Sequence, residues 1–313
     1  MRPDHVCIAF FCASLAAAAA APAREGTPGL SLRIETERTS YSLGEPVYLT
    51  TRLSNSGSDE ARFLAMLNPV DGMLTVSVRD PKGEGVGYVP LSSRDGDTPP
   101  SPLPPRGEIA TTFPIFFGAD GWVFQTPGRY AVVASFNVQG GKGESRVIRS
   151  NPLEITISDE GAAAGRFLME GPAGLEAGRF LVWRGGDHLQ RGLRRLRELA
   201  ERYPASPAVD HYRVALGRSL ARPFKNYMKG AVRPADYARA LEELGRARDE
   251  VLPARVRVEK YLGQATSLLG TEKPAEAAEA LRRARALVEE RAEVANFREQ
   301  LERLERYGTG RKN

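Results

Sequence analysis

The period of the hydrophobic residues changes near Ser158, and that change limits the chain to a β-rich part followed by an α-rich part. Before it, apolar residues alternate in short runs rich in β-branched side chains. After it, they recur every three or four residues among Ala, Leu, Arg and Glu. From Arg24 to Ser158 the chain holds 28 Val, Ile and Thr, whereas Asp159 to Asn313 holds 12 and no Ile. Such a partition is that of a β domain and an α domain in series rather than one mixed fold. At 313 residues, each half has ordinary domain size.

The first 23 residues have the pattern of a secretory signal peptide. Arg2 supplies a positive end, Val6 to Ala21 is apolar except for Ser14, and Ala21-Pro22-Ala23 fits a small-x-small cleavage site. The run is short for a spanning helix. An uncleaved anchor is the rival reading. The chain is therefore expected to be exported, periplasmic or secreted after cleavage near Ala23, with no transmembrane segment in the mature chain. Both cysteines, Cys7 and Cys12, lie in this segment. The mature protein would then lack disulfides, a cysteine nucleophile and thiolate metal ligands.

In the β half, Leu30–Glu35 alternates cleanly, and Tyr41 to Val47 leads into a second run carrying Leu49, Thr51 and Leu53 on one face. Further strands are predicted at Arg62–Leu67, Leu74–Arg79, Gly85–Pro90, Ile109–Phe117, Gly128–Val138 and Ser145–Ser158. Strands at this spacing with no helix between them indicate an antiparallel sandwich. Tyr41-x-Leu-Gly-Glu-Pro-Val, the turn at Asn55-Ser56-Gly57 and Phe124-x-x-Pro-Gly-Arg-Tyr130 resemble the immunoglobulin-like domains of secreted bacterial proteins. That resemblance covers roughly residues 30–158 and implies that Tyr130 forms a corner, its ring buried and its hydroxyl bonded to nearby backbone. Pro99 to Pro105 is proline-rich. It reads either as a docking strip or, more in line with long loops generally, as a stiff crossover. Asp95 and Asp97 lack the further oxygen ligands of a calcium site.

In the α half, Gly185-Gly186 marks a break, and Asp187 with Gln190 makes a capping-box-like start. Leu189, Leu193, Leu196 and Leu199 form one stripe, and Ser206-Pro207 opens the next helix. Leu199-x-x-x-Tyr203-Pro204-x-Ser206-Pro207 with Ala215-Leu216-Gly217 resembles the tetratricopeptide-like repeats of bacterial envelope proteins. So does Leu262-Gly263 with Gly270, Ala277, Leu281 and Ala284. The two Leu-Gly pairs stand 46 residues apart, longer than the usual ~34, so about three irregular helical hairpins are expected. Val294, Phe297, Leu301 and Leu304 should form a closing helix. The expected domains are thus 27–158 and 159–307, with a disordered tail from Gly308 to Asn313.

Motifs for chemistry are sparse. His188 and His211 have no partner at metal-ligand spacing. Gly140 to Gly143 lies between two strands and opens no helix, so it reads as a hairpin turn. No catalytic residue, cofactor site or metal site is assigned. Charge carries more. Arg24–Ser158 holds 13 basic and 15 acidic residues, Asp159–Asn313 30 basic and 23 acidic, a net of −2 against +7. Between Asp210 and Asp236 no acid occurs, and Arg218, Arg222, Lys225, Lys229 and Arg233 are interleaved with Phe224, Tyr227 and Met228. This stretch is the candidate surface for an anionic partner; a solvated arginine-rich loop is the plainer alternative. Nucleic acid is disfavoured by the expected export. The expectation is a non-enzymatic binding or scaffold protein acting on protein partners. The alternatives are a hydrolase acting on envelope polymers through carboxylates and a protease-inhibitor-like sandwich.

Overall fold

A computed structural model describes residues 29–94, 100–139, 145–226 and 230–310. The signal-like segment, Asp95, Asp97, Pro99, the Gly140 to Gly143 turn and Lys229 lie outside the described residues.

The first half contains the strands β1 (Leu30–Glu35), β2 (Ser40–Ser42), β3 (Tyr48–Asn55), β4 (Ala61–Phe63), β5 (Leu74–Arg79), β6 (Gly85–Tyr88) and β7 (Ser101–Leu103). They are followed by β8 (Glu108–Pro114), β9 (Phe117–Gly118), β10 (Gly121–Trp122), β11 (Gly128–Gln139), β12 (Ser145–Arg149) and β13 (Leu153–Ser158). One sheet has the order β1-β3-β8; a larger one has the order β2-β13-β11-β5-β6, with β12 also on β11. Pairing in these two sheets is antiparallel except between β13 and β2. Alternation decides which faces are buried: Leu30, Leu32 and Ile34 of β1 and Val76, Val78, Val132 and Phe136 of the larger sheet all enter the core.

Several strand boundaries differ from expectation, among them Ile109–Phe117, whose strand β8 stops at Pro114, and Gly85–Pro90, whose strand β6 stops at Tyr88. As the glycine at 44 allows, the stretch from Tyr41 to Val47 turns after Ser42, with Gly44 at φ 77° and Glu45 N–H donating to the Ser42 carbonyl at 3.0 Å. The strand expected at Arg62–Leu67 ends at Phe63. The last expected strand splits into β12 and β13 because Asn151 leaves the ladder of β11 and bonds both the N–H and the carbonyl of Ile34 on β1. Pro152 beside it has no N–H to give. Tyr130 is buried, and its hydroxyl donates to the Thr126 carbonyl at 2.9 Å while accepting from the Thr126 N–H at 3.1 Å.

The second half contains α1 (Ala162–Met169), α2 (Gly171–Trp183), α3 (Gln190–Arg202), α4 (Pro207–Leu220), α5 (Tyr237–Arg246), α6 (Ala254–Gly270), α7 (Pro274–Glu290) and α8 (Arg298–Gly310). A 3-10 turn, Ala292–Phe297, runs straight into α8. Helices α2 and α3, α4 and α5, and α6 and α7 pack as successive neighbours. Between α4 and α5 the chain forms a hairpin, β14 (Phe224–Asn226) and β15 (Ala231–Arg233), where an arginine-rich loop was the alternative expectation. The hairpin accounts for much of the long interval between the two Leu-Gly pairs. The expected capping box does not form: Leu189, not Asp187, precedes the first turn of α3, and no side chain caps it. Asp187 is drawn instead to Arg233 on β15, Oδ2 to Nε 2.5 Å.

Core side chains from Leu30 to Val256 form one continuous cluster, so the apolar interior passes from the sheets into the helices. A second cluster, from Val258 to Leu301, fills α6, α7 and α8. Glycines bring the halves close. A β-carbon at Gly165 of α1 would overlap the Leu43 carbonyl, and one at Gly178 of α2 would overlap the Phe117 ring.

Candidate functional site

The five basic residues singled out from the sequence do not share one surface. Arg218, on α4, points inward, its Nη1 3.2 Å from Glu259 Oε2 with the side chain 15% exposed. Arg233 is held by Asp187 and donates from Nη2 to the Ser219 carbonyl at 2.9 Å, pinning the hairpin to the α2–α3 connection. Arg222 and Lys225 remain at the exterior, on either side of Pro223 and Phe224. Lys229 lies outside the described residues.

Arg222 stands at the rim of a cleft of about 370 Å³ between the end of α2, the end of α4 and the start of β14. Three rings form its walls. Trp183, 45% exposed, lies 6.3 Å from His188, which lies 6.4 Å from Phe224 with the two planes 24° apart. Arg184, Gly185, Gly186, Ser219 and Pro223 line the remainder, and no carboxylate does. Packing beside the cleft lowers the Arg222 pKa, first by burial and then through its like-charged neighbour Arg218. Its Nε donates to the Arg218 carbonyl at 3.3 Å.

Behind the cleft lies a buried polar cluster that joins the two halves. Arg184, the left-handed cap of α2 at φ 56°, turns its side chain inward. Its Nε meets Glu259 Oε2 at 2.6 Å and its Nη2 donates to the Tyr48 hydroxyl at 2.8 Å. Arg255 donates from Nη1 to the Thr112 carbonyl at 2.8 Å, with Nε 3.5 Å from Glu259 Oε1. Three guanidiniums, those of Arg184, Arg218 and Arg255, thus surround one carboxylate. Burial alone would raise the pKa of Glu259, but these cations outweigh it and hold the value at about 2. With three guanidiniums against one carboxylate, the local charge is net positive.

His211 stacks on Tyr48, ring centroids 5.7 Å apart and planes at 13°. Both ring nitrogens are buried with no hydrogen-bond partner among the described residues. Burial, then Arg184 and Arg38, lowers its pKa to about 3, so it is neutral at ordinary pH. His188 belongs instead to the cleft wall. Among the described residues, no group of three or more His, Cys, Asp or Glu could hold a metal ion.

A second cleft, about 200 Å³, opens between the halves and carries Glu37, Asp249 and Glu250. Two of these carboxylates have structural partners. Glu37 accepts from the Ala254 N–H at the start of α6 at 2.6 Å, and Asp249 binds Lys260 Nζ at 2.6 Å and the Tyr261 hydroxyl at 2.5 Å. The buried carboxylates Glu45, Asp210, Glu259 and Glu293 are each paired with arginine.

Sequence reasoning found Arg222 and Lys225 but missed Trp183, which stands next to a break read only as punctuation. It also missed the Tyr48 and Glu259 pairing with Arg184, for which residues so distant in the chain offer no local signal.

Among the described residues, no helix is long and apolar enough to cross a membrane. No protein-family model matches the chain, and no curated protein matches it in sequence. Solved structures are similar over part of it. The structural-genomics target SoR45 shares 14% identity over 41% of this chain and 87% of its own, with a TM-score of 0.28. The CARDB domain of the PF1109 protein from Pyrococcus furiosus shares 12% identity over 42% and 93%, with a TM-score of 0.23. The sporulation control protein Spo0M from Bacillus subtilis shares 14% over 50% and 54%, with a TM-score of 0.25.

Proposed function

We propose that the chain is an exported, non-enzymatic binding or scaffold protein. In this reading an immunoglobulin-like sandwich and tetratricopeptide-like hairpins together hold one partner-facing surface, and that surface binds an acidic segment of another protein. One observation carries the reading: an aromatic cleft with a cation at its rim, no carboxylate in its lining, and a net positive cluster buried behind it. Clefts of a few hundred Å³ with apolar walls and few polar groups are ordinary ligand sites. Aromatic and arginine side chains are the residues that carry most binding energy at interfaces. Of the three carboxylates in the second cleft, Glu37 and Asp249 are engaged in holding α6, and the buried carboxylates are paired with arginines, which favours a binding role over the hydrolase alternative.

The test is capture from an envelope extract by the full chain and by Arg222→Glu/Lys225→Glu. Binding that weakens with salt and is lost in the double variant is the expected result. Capture of the same partner at the same strength by both proteins would remove this face from the function.

A further inference from the structure

We propose that the cleft receives the free C-terminus of a peptide whose last residue is aromatic. The ring stacks among Trp183, His188 and Phe224, and Arg222 takes the terminal carboxylate. This rests on the reading of the face as an anion-binding surface and names the group it holds.

Charge selects the carboxylate end of a peptide over the amino end. Arg222 is the cation at the rim, and no acid lines the cleft. Among the described residues the hydrogen bond of Arg222 uses Nε, which leaves its two Nη groups for a carboxylate. A planar guanidinium binds both oxygens of such a group in parallel. The rings select the residue type. Centroid separations of 6.3 and 6.4 Å between neighbours are those of aromatic pairs, and a guest ring on this wall extends the row.

The spacing ties the two selections to one residue. Arg222 and Phe224 flank Pro223, Arg222 in the turn that ends α4 and Phe224 opening β14. Residues two apart in a chain lie at most about 7 Å from one another. Ring and carboxylate of a single C-terminal aromatic residue are separated by a comparable distance, about 5 Å across a few covalent bonds. An acidic side chain elsewhere in a peptide lacks that fixed relation to a ring. At the floor, Gly185 and Gly186 carry no β-carbon, so the ligand backbone can approach closely.

The experiment titrates the full chain with Ala-Ala-Ala-Phe as the free acid, its C-terminal amide, and Ala-Ala-Ala-Ala as the free acid. The free Phe acid is expected to bind at least tenfold more tightly than either of the others. In Arg222→Gln the acid and amide should bind alike, and in Trp183→Leu the preference for Phe over Ala should fall several-fold. Both side chains are well exposed, and unchanged thermal melting shows that each variant is folded. Equal binding of acid and amide by the natural chain overturns the proposal. So does glucuronate competing as well as the peptide, which would make the site one for an acidic sugar. If the peptides fail but polyglutamate binds and Arg222→Gln abolishes it, the C-terminal ligand is wrong and the anionic face stands. If neither binds, both readings fall.

Discussion

His211 is a base kept neutral by its surroundings, and this has a consequence that acid titration can read. Its ring lies against Tyr48, and Arg184 and Arg38 add like charge to the cost of burial. An unfolded histidine takes up a proton near pH 6.5, whereas the native one does so only near pH 3. The unfolded state therefore gains a proton first. The stability due to neutral His211 is complete above pH 6.5 and is lost as pH falls towards 3, with a slope of up to about 1.4 kcal/mol per pH unit. Glu259 has its pKa held down from 4.5 to about 2, so its own loss belongs to the window below 4.5. Between pH 6.5 and 5, urea midpoints of the natural chain should fall, and those of His211→Phe should fall less. The phenyl ring keeps the stack on Tyr48 and removes two buried nitrogens that have no partner. Parallel curves for the two proteins would show that the decline comes from elsewhere.

At the scale of elements, helix packing depends on glycines whose absent β-carbons admit a neighbour. Gly217 on α4 and Gly263 on α6 both face Leu244 of α5; a β-carbon at Gly217 would lie 2.5 Å from Leu244 Cγ and one at Gly263 3.1 Å from Leu244 Cδ1. Gly217→Ala gains about 1 kcal/mol of helix propensity but overpacks the contact by about 1–3 kcal/mol, so the net change should be destabilising. Gly245, on α5 with open space around it, should behave oppositely, and Gly245→Ala is expected to stabilise by about 0.5–1 kcal/mol. Chemical denaturation of the two variants checks the signs, and stabilisation by both would refute the packing account. Helices α4 and α6 were legible because leucine and glycine periodicity is a local property, whereas α5 was not singled out. Strands β1 and β5 match their expected limits for the same reason, since alternation alone sets their buried faces. The hairpin of β14 and β15 was not legible: its strands are three residues each, too short for alternation to register. Arg218 and Arg222 belong to one basic run, yet one enters the interior and the other the rim. The difference comes from Glu259, 41 positions after Arg218, and no pattern within the run encodes it.

For the whole molecule, the change of period near Ser158 marks a change of secondary structure while the apolar core continues through it. Leu30 and Val256 belong to the same cluster. The contact is also polar. Arg52, on β3, binds Glu35 at 2.6 Å and Glu108 at 3.0 Å within the sheets, and reaches Glu293 beyond α7 at 2.9 Å. Trp122 donates its indole N–H to the Gly174 carbonyl of α2 at 3.2 Å, and Glu37 holds the start of α6. Separating the halves would expose apolar surface on both sides and strand the Arg184, Arg218 and Arg255 cluster from Tyr48 and Thr112. An interface of that kind couples folding, so the chain should unfold in one cooperative transition. In Trp183→Phe, fluorescence reports Trp122 in the strand half, and far-ultraviolet circular dichroism reports chiefly the helices; the two melting curves should coincide. Phe117→Ala tests the coupling at the junction, because that ring is buried against Gly178 of α2. It should cost about 3–5 kcal/mol and shift both signals together. Two separated transitions, or a Phe117→Ala variant that melts only the sheets, would mean that the halves fold independently and that the buried cluster joins units already formed.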